Sequence, residues 1–428
     1  MRRITGWKKY ALWAALGVVT LAASGAVVWR VLGPAEVVTT AGTAYPSPSV
    51  TPSAGALGAL INSPLIVDEQ LRVYAAKRQI QADDQPAYRY ETSPFWSYRR
   101  WPQQLIGLVH PPTESTSGVP VVVGSWSDGK LIAIDARTGQ VAWESDAAVL
   151  GTEYPGRRTG SAVVWTPAGL LTGVTTAGKG VVVTAKEGLT ATDAASGTRL
   201  WSTPDTGCAA LAFTVRNEVV VPDRCDTPTV LRRYDLTTGT PTDLPITVTK
   251  TATRPVSPLG CRVGVSECGG VRTQDAAWIW ADGTPKAAAG LKGESVWLAG
   301  TTAVDAPLGD TADTRALTGK DPVTGAVRWT WSAVGADPSD AQIIATTPER
   351  ILLLTRARTL IAVDPNTGNE LTRISVIMDH DPKQQYAVGP VYASGVYVAI
   401  ERLTMTAAQA ETDDEYYFTN RPVLLAAS

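Results

Sequence analysis

Val121-Val122-Val123-Gly124-Ser125-Trp126-Ser127-Asp128-Gly129-Lys130-Leu131-Ile132-Ala133-Ile134-Asp135-Ala136-Arg137-Thr138-Gly139-Gln140-Val141-Ala142-Trp143 is the stretch whose reading decides the fold. Two apolar, β-branched runs flank a tight Asp128-Gly129 turn, and the second run ends in Asp135. Runs of this composition suit pleated strands buried on both faces. An Asp carboxylate can accept from backbone N–H groups two residues on, while a Gly supplies the positive φ that closes such a turn. Trp143 then offers a large ring to fill the gap between neighbouring sheets.

The pattern recurs along the chain. Asp193 with Ser196-Gly197 and Trp201, Asp235 with Thr238-Gly239, Asp321 with Thr324-Gly325 and Trp329, and Asp364 with Thr367-Gly368 repeat it. The spacing is about 43 residues, the period of a β-propeller built from four-stranded blades. A double gap between Asp235 and Asp321 predicts a degenerate copy at Ala277-Trp278-Ile279-Trp280-Ala281-Asp282-Gly283, and a long gap after Asp135 predicts an insertion over Asp146–Arg158. The six copies, with a further blade from Tyr386 to Ser428, predict an all-β propeller of seven blades. Leu71–Ala76 completes the last blade or, alternatively, starts an eighth.

Strand-Asp-Gly-x-Leu-x-Ala-x-Asp-x-x-Thr-Gly-x-x-x-Trp resembles the repeat of the PQQ-like β-propellers, and residues 128–143 match it almost throughout. The resemblance runs from about Pro120 to Ile374 and includes, among its families, the quinoprotein alcohol dehydrogenases and the lipoprotein of the outer-membrane barrel-assembly machine. Those enzymes hold a quinone between a Trp platform and a disulfide of adjacent cysteines, beside an acidic base and a calcium ion. Here no two cysteines are adjacent, and no run of Asp, Asn and Glu has calcium-loop spacing. No cofactor residue of the family transfers to any position, so the resemblance implies the fold without the cofactor.

Residues before the repeat set the expected compartment. Ala11–Trp29 is uncharged, is flanked by Arg2, Arg3, Lys8 and Lys9, and is long enough for a membrane-spanning helix with a cytoplasmic N-terminus. A cleaved signal peptide has a shorter apolar core, and no Cys follows the run to carry a lipid. The expected organisation is therefore a cytoplasmic tail (1–10), a transmembrane helix (11–32), a disordered Pro/Ser/Thr/Ala-rich stalk (33–60) and the propeller (61–428), placing the protein as a single-pass chain in the cell membrane. Away from the N-terminus acids outnumber bases, and with no Lys/Arg run the chain lacks the footprint of a nucleic-acid binder.

Cys208, Cys225, Cys261 and Cys268 suit two disulfides outside the cytoplasm, with alternative pairings open from the count alone. If Ala209–Val215 and Val219–Val221 form a hairpin turning at Arg216-Asn217, Cys208 and Cys225 face each other across it, and Cys261 and Cys268 close a short loop. No CxxC spacing supports zinc.

Chemistry-bearing residues are sparse. His110 precedes Pro111-Pro112, and His380 sits in Asp379-His380-Asp381 without a third metal ligand. The cluster Phe95-Trp96-Ser97-Tyr98-Arg99-Arg100-Trp101 has the aromatic–arginine composition of binding hot spots, so Trp96, Tyr98, Arg99, Arg100 and Trp101 are the candidate partner-binding residues. Inter-blade packing is the competing reading of that cluster. The function expected is a non-catalytic, membrane-anchored extracytoplasmic scaffold that binds a protein partner or a cell-envelope ligand, in envelope assembly or a membrane complex. A divergent quinoprotein dehydrogenase and an extracytoplasmic ligand sensor are the alternatives.

Overall fold

The computed structural model describes residues 6–32, 35–45, 52–69, 71–84, 94–112, 119–157, 159–186, 188–204, 211–223, 230–245, 256–262, 264–281, 283–306, 316–331, 341–377, 386–403 and 423–428. Helix α1 (Gly6–Leu32) comes first. It is followed by strands β1 (Ala35–Thr39), β2 (Gly55–Leu60), β3 (Pro64–Val67), β4 (Leu71–Ala76), β5 (Gln79–Asp84) and β6 (Trp96–Trp101).

The described strands form eight antiparallel sheets, one blade each, arranged in sequence order around a ring. Blade 1 is β3–β4–β5–β6 with β1 as a fifth, outermost strand. Blades 2 to 7 span 105–146, 170–203, 213–245, 257–287, 296–331 and 342–375, and blade 8 joins 387–427 to β2. Innermost strands of successive blades touch, as Leu170–Val174 does Phe213–Val215, and so enclose a central channel.

Eight blades replace the seven expected. β4, Leu71–Ala76, is the second strand of an additional blade and does not complete the last one. Closure falls instead to β2, whose Gly55 and Leu60 pair with Ala427 and Val423. The stretch read as a disordered stalk therefore contains two strands. β1 pairs with β6, Ala35 facing Trp101 and Val37 facing Arg99. Ala, Gly, Thr and Val make short strands when a neighbouring sheet edge supplies the hydrogen-bond partners, and composition alone does not register that edge.

The repeat signature works as its chemistry requires. Asp135 Oδ1 accepts from the Arg137 N–H at 2.7 Å, and the same bond recurs at Asp193, Asp235, Asp321 and Asp364. At Asp321 the Thr324 N–H and the Arg328 guanidinium pull the carboxyl down to about 2. Each repeat Trp then lies on the turn Gly of the next blade. The Trp143 Nε1–H donates to the Ala194 carbonyl at 2.9 Å, Trp201 to Leu236 and Trp329 to Pro365. A Cβ on Gly197 would come within 2.6 Å of the Trp143 ring, so the site needs Gly for space as well as for its φ of 73°.

On α1 the described side chains are Tyr10 and those from Trp13 to Gly25, and Trp13, Leu16, Val18, Val19 and Leu21 among them are exposed. Among the described residues no helix is long and apolar enough to cross a membrane.

Candidate functional site

Two irregularities of the repeat meet in the central channel. The insertion between blades 2 and 3 leaves the rim and runs inward. Tyr154 N–H donates to Gln104 Oε1 at 2.9 Å, and the Thr159 carbonyl accepts from Ser63 N–H at 2.7 Å. A single helical turn follows, α2 (Ser161–Val164), and its Val163 and Val164 are packed among Leu65, Leu71 and Leu105. Trp165 stacks on Tyr392 of blade 8, ring centroids 6.5 Å apart. Glu401, also in blade 8 and fully buried, accepts from Thr159 Oγ1 at 2.6 Å and Ser161 Oγ at 2.8 Å, so it holds the insertion in place.

From the opposite side of the ring comes the connection between the first two strands of blade 5, closed by the Cys261–Cys268 disulfide. Its backbone is tied to blades 3 and 4. The Thr172 N–H donates to Ser266 Oγ at 2.9 Å, and the Glu267 and Cys268 N–H groups donate to Thr214 Oγ1 and the Thr214 carbonyl at 2.6 and 2.7 Å. At its tip Gly264 packs against the Trp165 carbonyl. A loop from blade 5 touching an insertion that rests on blades 1 and 8 means that the chain itself spans the channel.

The loop separates two cavities. One, about 620 Å³, opens among Arg216, Arg262, Glu267, Thr175, Thr301 and Thr347. The other, about 480 Å³, lies among Trp165, Arg272, Glu294, Trp297 and Tyr392. Arg262 stands 3.7 Å from the Glu267 carboxylate, but burial outweighs that pairing and pushes the Glu267 carboxyl up to about 7.

The structure splits the aromatic–arginine cluster of blade 1. Trp96 and Tyr98 are fully buried and Arg100 nearly so, whereas Arg99 and Trp101 are exposed. Trp96 donates to the Ala136 carbonyl at 2.8 Å and covers Gly139, which makes it the repeat Trp of blade 1. Tyr98 meets Trp126 edge to face. Arg100 bridges Glu36 at 2.8 Å and Asp128 at 3.0 Å, tying β1 to blade 2. These three are packing residues, a correction to the reading of the whole cluster as a contact surface. Only Arg99 and Trp101, with Arg78 stacked 3.7 Å over the Trp101 ring, remain available to a partner.

The cysteine readings divide similarly. The Cys261–Cys268 bridge is present, while Cys208 and Cys225 lie outside the described residues. The hairpin proposed to oppose them exists: Val215 pairs with Glu218 and Phe213 with Val220 around Arg216-Asn217. His110 is structural, its Nδ1 2.9 Å from the Val121 carbonyl, and burial lowers its pKa. His380 lies outside the described residues. Sequence reasoning missed the channel-spanning pair altogether. The long repeat interval and the close Cys261/Cys268 spacing flagged both segments, but nothing in either gives its direction.

Eight blades around a filled channel, four of them docked through a Trp on the next blade's turn Gly, define the class: a β-propeller. Residues 38–214 match the family model described as "PQQ: Glucose/ethanol/alcohol dehydrogenase, beta-propeller domain". No curated protein matches the chain. Similar solved structures include BamB from Moraxella catarrhalis (13% identity, 88% of this chain and 98% of that one, TM-score 0.40) and the C-terminal WD40 domain of Sif2 (12%, 89% and 99%, 0.48). The computationally designed Ika8 protein is another (12%, 88% and 98%, 0.42).

The residues present do not fit the quinone that the family description implies. The channel disulfide joins cysteines seven apart in sequence and not adjacent ones. Among the described residues no three His, Cys, Asp or Glu side chains converge as metal donors.

Proposed function

We propose that this protein is a binding or scaffolding propeller, held on the outer side of a cell membrane by its N-terminal helix, where it engages a protein partner or a cell-envelope ligand. The observation that carries this reading is the channel. The place where the enzymes of the family hold their cofactor is here crossed by α2 and the blade-5 loop, which leaves the rim and the blade faces for contacts. The uncharged run Ala11–Trp29 behind Lys8 and Lys9 supports the anchor. The Cys261–Cys268 bridge supports an oxidising compartment.

The test uses the full-length chain in cells. The protein is expected in the membrane pellet after alkaline carbonate extraction, with its propeller digested by protease added outside and its N-terminus protected. Quinone added with calcium should produce neither a bound chromophore nor reduction of an artificial electron acceptor. A quinone-dependent turnover would replace this reading with the dehydrogenase one.

A further inference from the structure

The end of blade 1 beside α1 carries a basic and aromatic patch that neither the repeat nor the channel explains. α1 ends at Leu32 and β1 begins at Ala35, so the chain between them spans at most about 11 Å. Ala35 pairs with Trp101. Lys77 and Arg78 form the turn between β4 and β5 at that same end, since the Arg78 carbonyl accepts from the Arg100 N–H at 3.0 Å. Arg99 and Trp101 project from the exposed face of β6, and Val37, opposite Arg99, is 55% exposed.

Charge on this face is one-sided. Arg78, over the Trp101 ring, and Arg99 lie on it and the exposed Lys77 adjoins it in the turn, while Glu36 and Asp128 are both held by Arg100 on the other side of the sheet. Among the described residues of β5, β6 and β1, the acid on this face is Asp83, at the far end of β5 and 3.7 Å from Arg72. Arg99 is steadied by Gln79 Oε1 at 3.0 Å without losing its charge.

The geometry points to a bilayer footing: the patch rests on the membrane from which α1 emerges, with Lys77, Arg78 and Arg99 on anionic lipid headgroups and Trp101 at headgroup depth. Basic residues within a Debye length of an anionic surface are drawn to it, and Trp prefers the membrane interface because its ring is apolar and its N–H polar. A footing so close to the helix exit fixes the tilt of the ring, with blade 1 down and blade 5 farthest from the lipid. The inference rests on the anchor reading proposed above.

Proteoliposomes of the full-length chain, in phosphatidylcholine with or without phosphatidylglycerol, test it. Benzoylphenylalanine replaces Trp101, Val37 or, as a distant control on blade 6, Val327 (61% exposed). Photolysis is expected to give phosphatidylglycerol adducts at 101 and 37 and none at 327. Each lost charge should lower the adduct yield about fivefold, as for Arg99→Gln, and Lys77→Gln added to it should lower the yield about 25-fold. A chain retained by carbonate extraction but free of lipid adducts at 101 and 37, or cross-linked there to protein, overturns the footing and leaves the anchor standing. Release of the chain by carbonate overturns the anchor, and the footing with it.

Discussion

At the scale of single residues, the propeller is held by one contact repeated from blade to blade, a Trp laid flat on the turn Gly of its neighbour. Trp143, Trp201 and Trp329 make it, and so does Trp96. Trp143→Ala should lower stability by about 3–5 kcal/mol, since it removes a buried ring and the bond to the Ala194 carbonyl together. Gly197→Ala should cost about 1–3 kcal/mol, because the new Cβ meets that ring at a positive φ. Once the ring is gone there is room for the Cβ, so the double variant should lose less than the sum of the two single changes. Urea denaturation of the four proteins measures this, and additive losses would show that the pair does not act as a unit. Asp135, Thr138, Gly139 and Trp143 were legible in sequence because each performs its task locally. Trp96 was legible only in part. No Asp-x-x-Thr-Gly precedes it, so its large ring and arginine neighbours left inter-blade packing and a contact surface both open, although its partner Gly139 was already in view.

Among elements, the two that break the repeat are the ones that meet. The insertion was visible as an overlong interval and the blade-5 loop as two close cysteines, yet their destinations depend on Thr172, Thr214, Tyr392 and Glu401, which lie far away in sequence. The loop also gives the molecule a pH dependence. Glu267 has its carboxyl raised from 4.5 to about 7 by burial. A carboxyl with a native pKa above its unfolded one keeps its proton longer in the folded state, so stability falls as pH rises from about 4.5 to 7 and levels off beyond. At about 1.4 kcal/mol per unit, roughly 3–4 kcal/mol is lost across that window. Glu267→Gln should flatten this limb and leave the variant more stable than the parent at pH 8 by that amount. Urea midpoints at pH 5 and pH 8 decide the matter, and an unchanged slope would mean that Arg262 keeps Glu267 ionised throughout.

For the molecule as a whole, the number of blades and the way the ring closes were the least legible features. The repeat motif marks third and fourth strands only, and blade 1 lacks it, so counting motifs undercounts sheets. Closure joins Gly55–Leu60 to Val423–Ala427, a pairing between the two ends of the chain that no local pattern announces. It has a consequence that a disordered stalk would not have. A chain beginning at Ser63 would retain every repeat motif but would lack β1 and β2, exposing the edge of Val423–Ala427, whose residues are now buried. At about 1 kcal/mol for each net hydrogen bond of a five-residue ladder, the loss is roughly 5 kcal/mol before apolar burial is counted. Amide exchange at 423–427 should therefore accelerate sharply in the shortened chain, while exchange in blade 4, across the ring, changes little. Equal protection of 423–427 in the two proteins would mean that the ring closes without its N-terminal strand, and that residues 33–60 serve only as a tether.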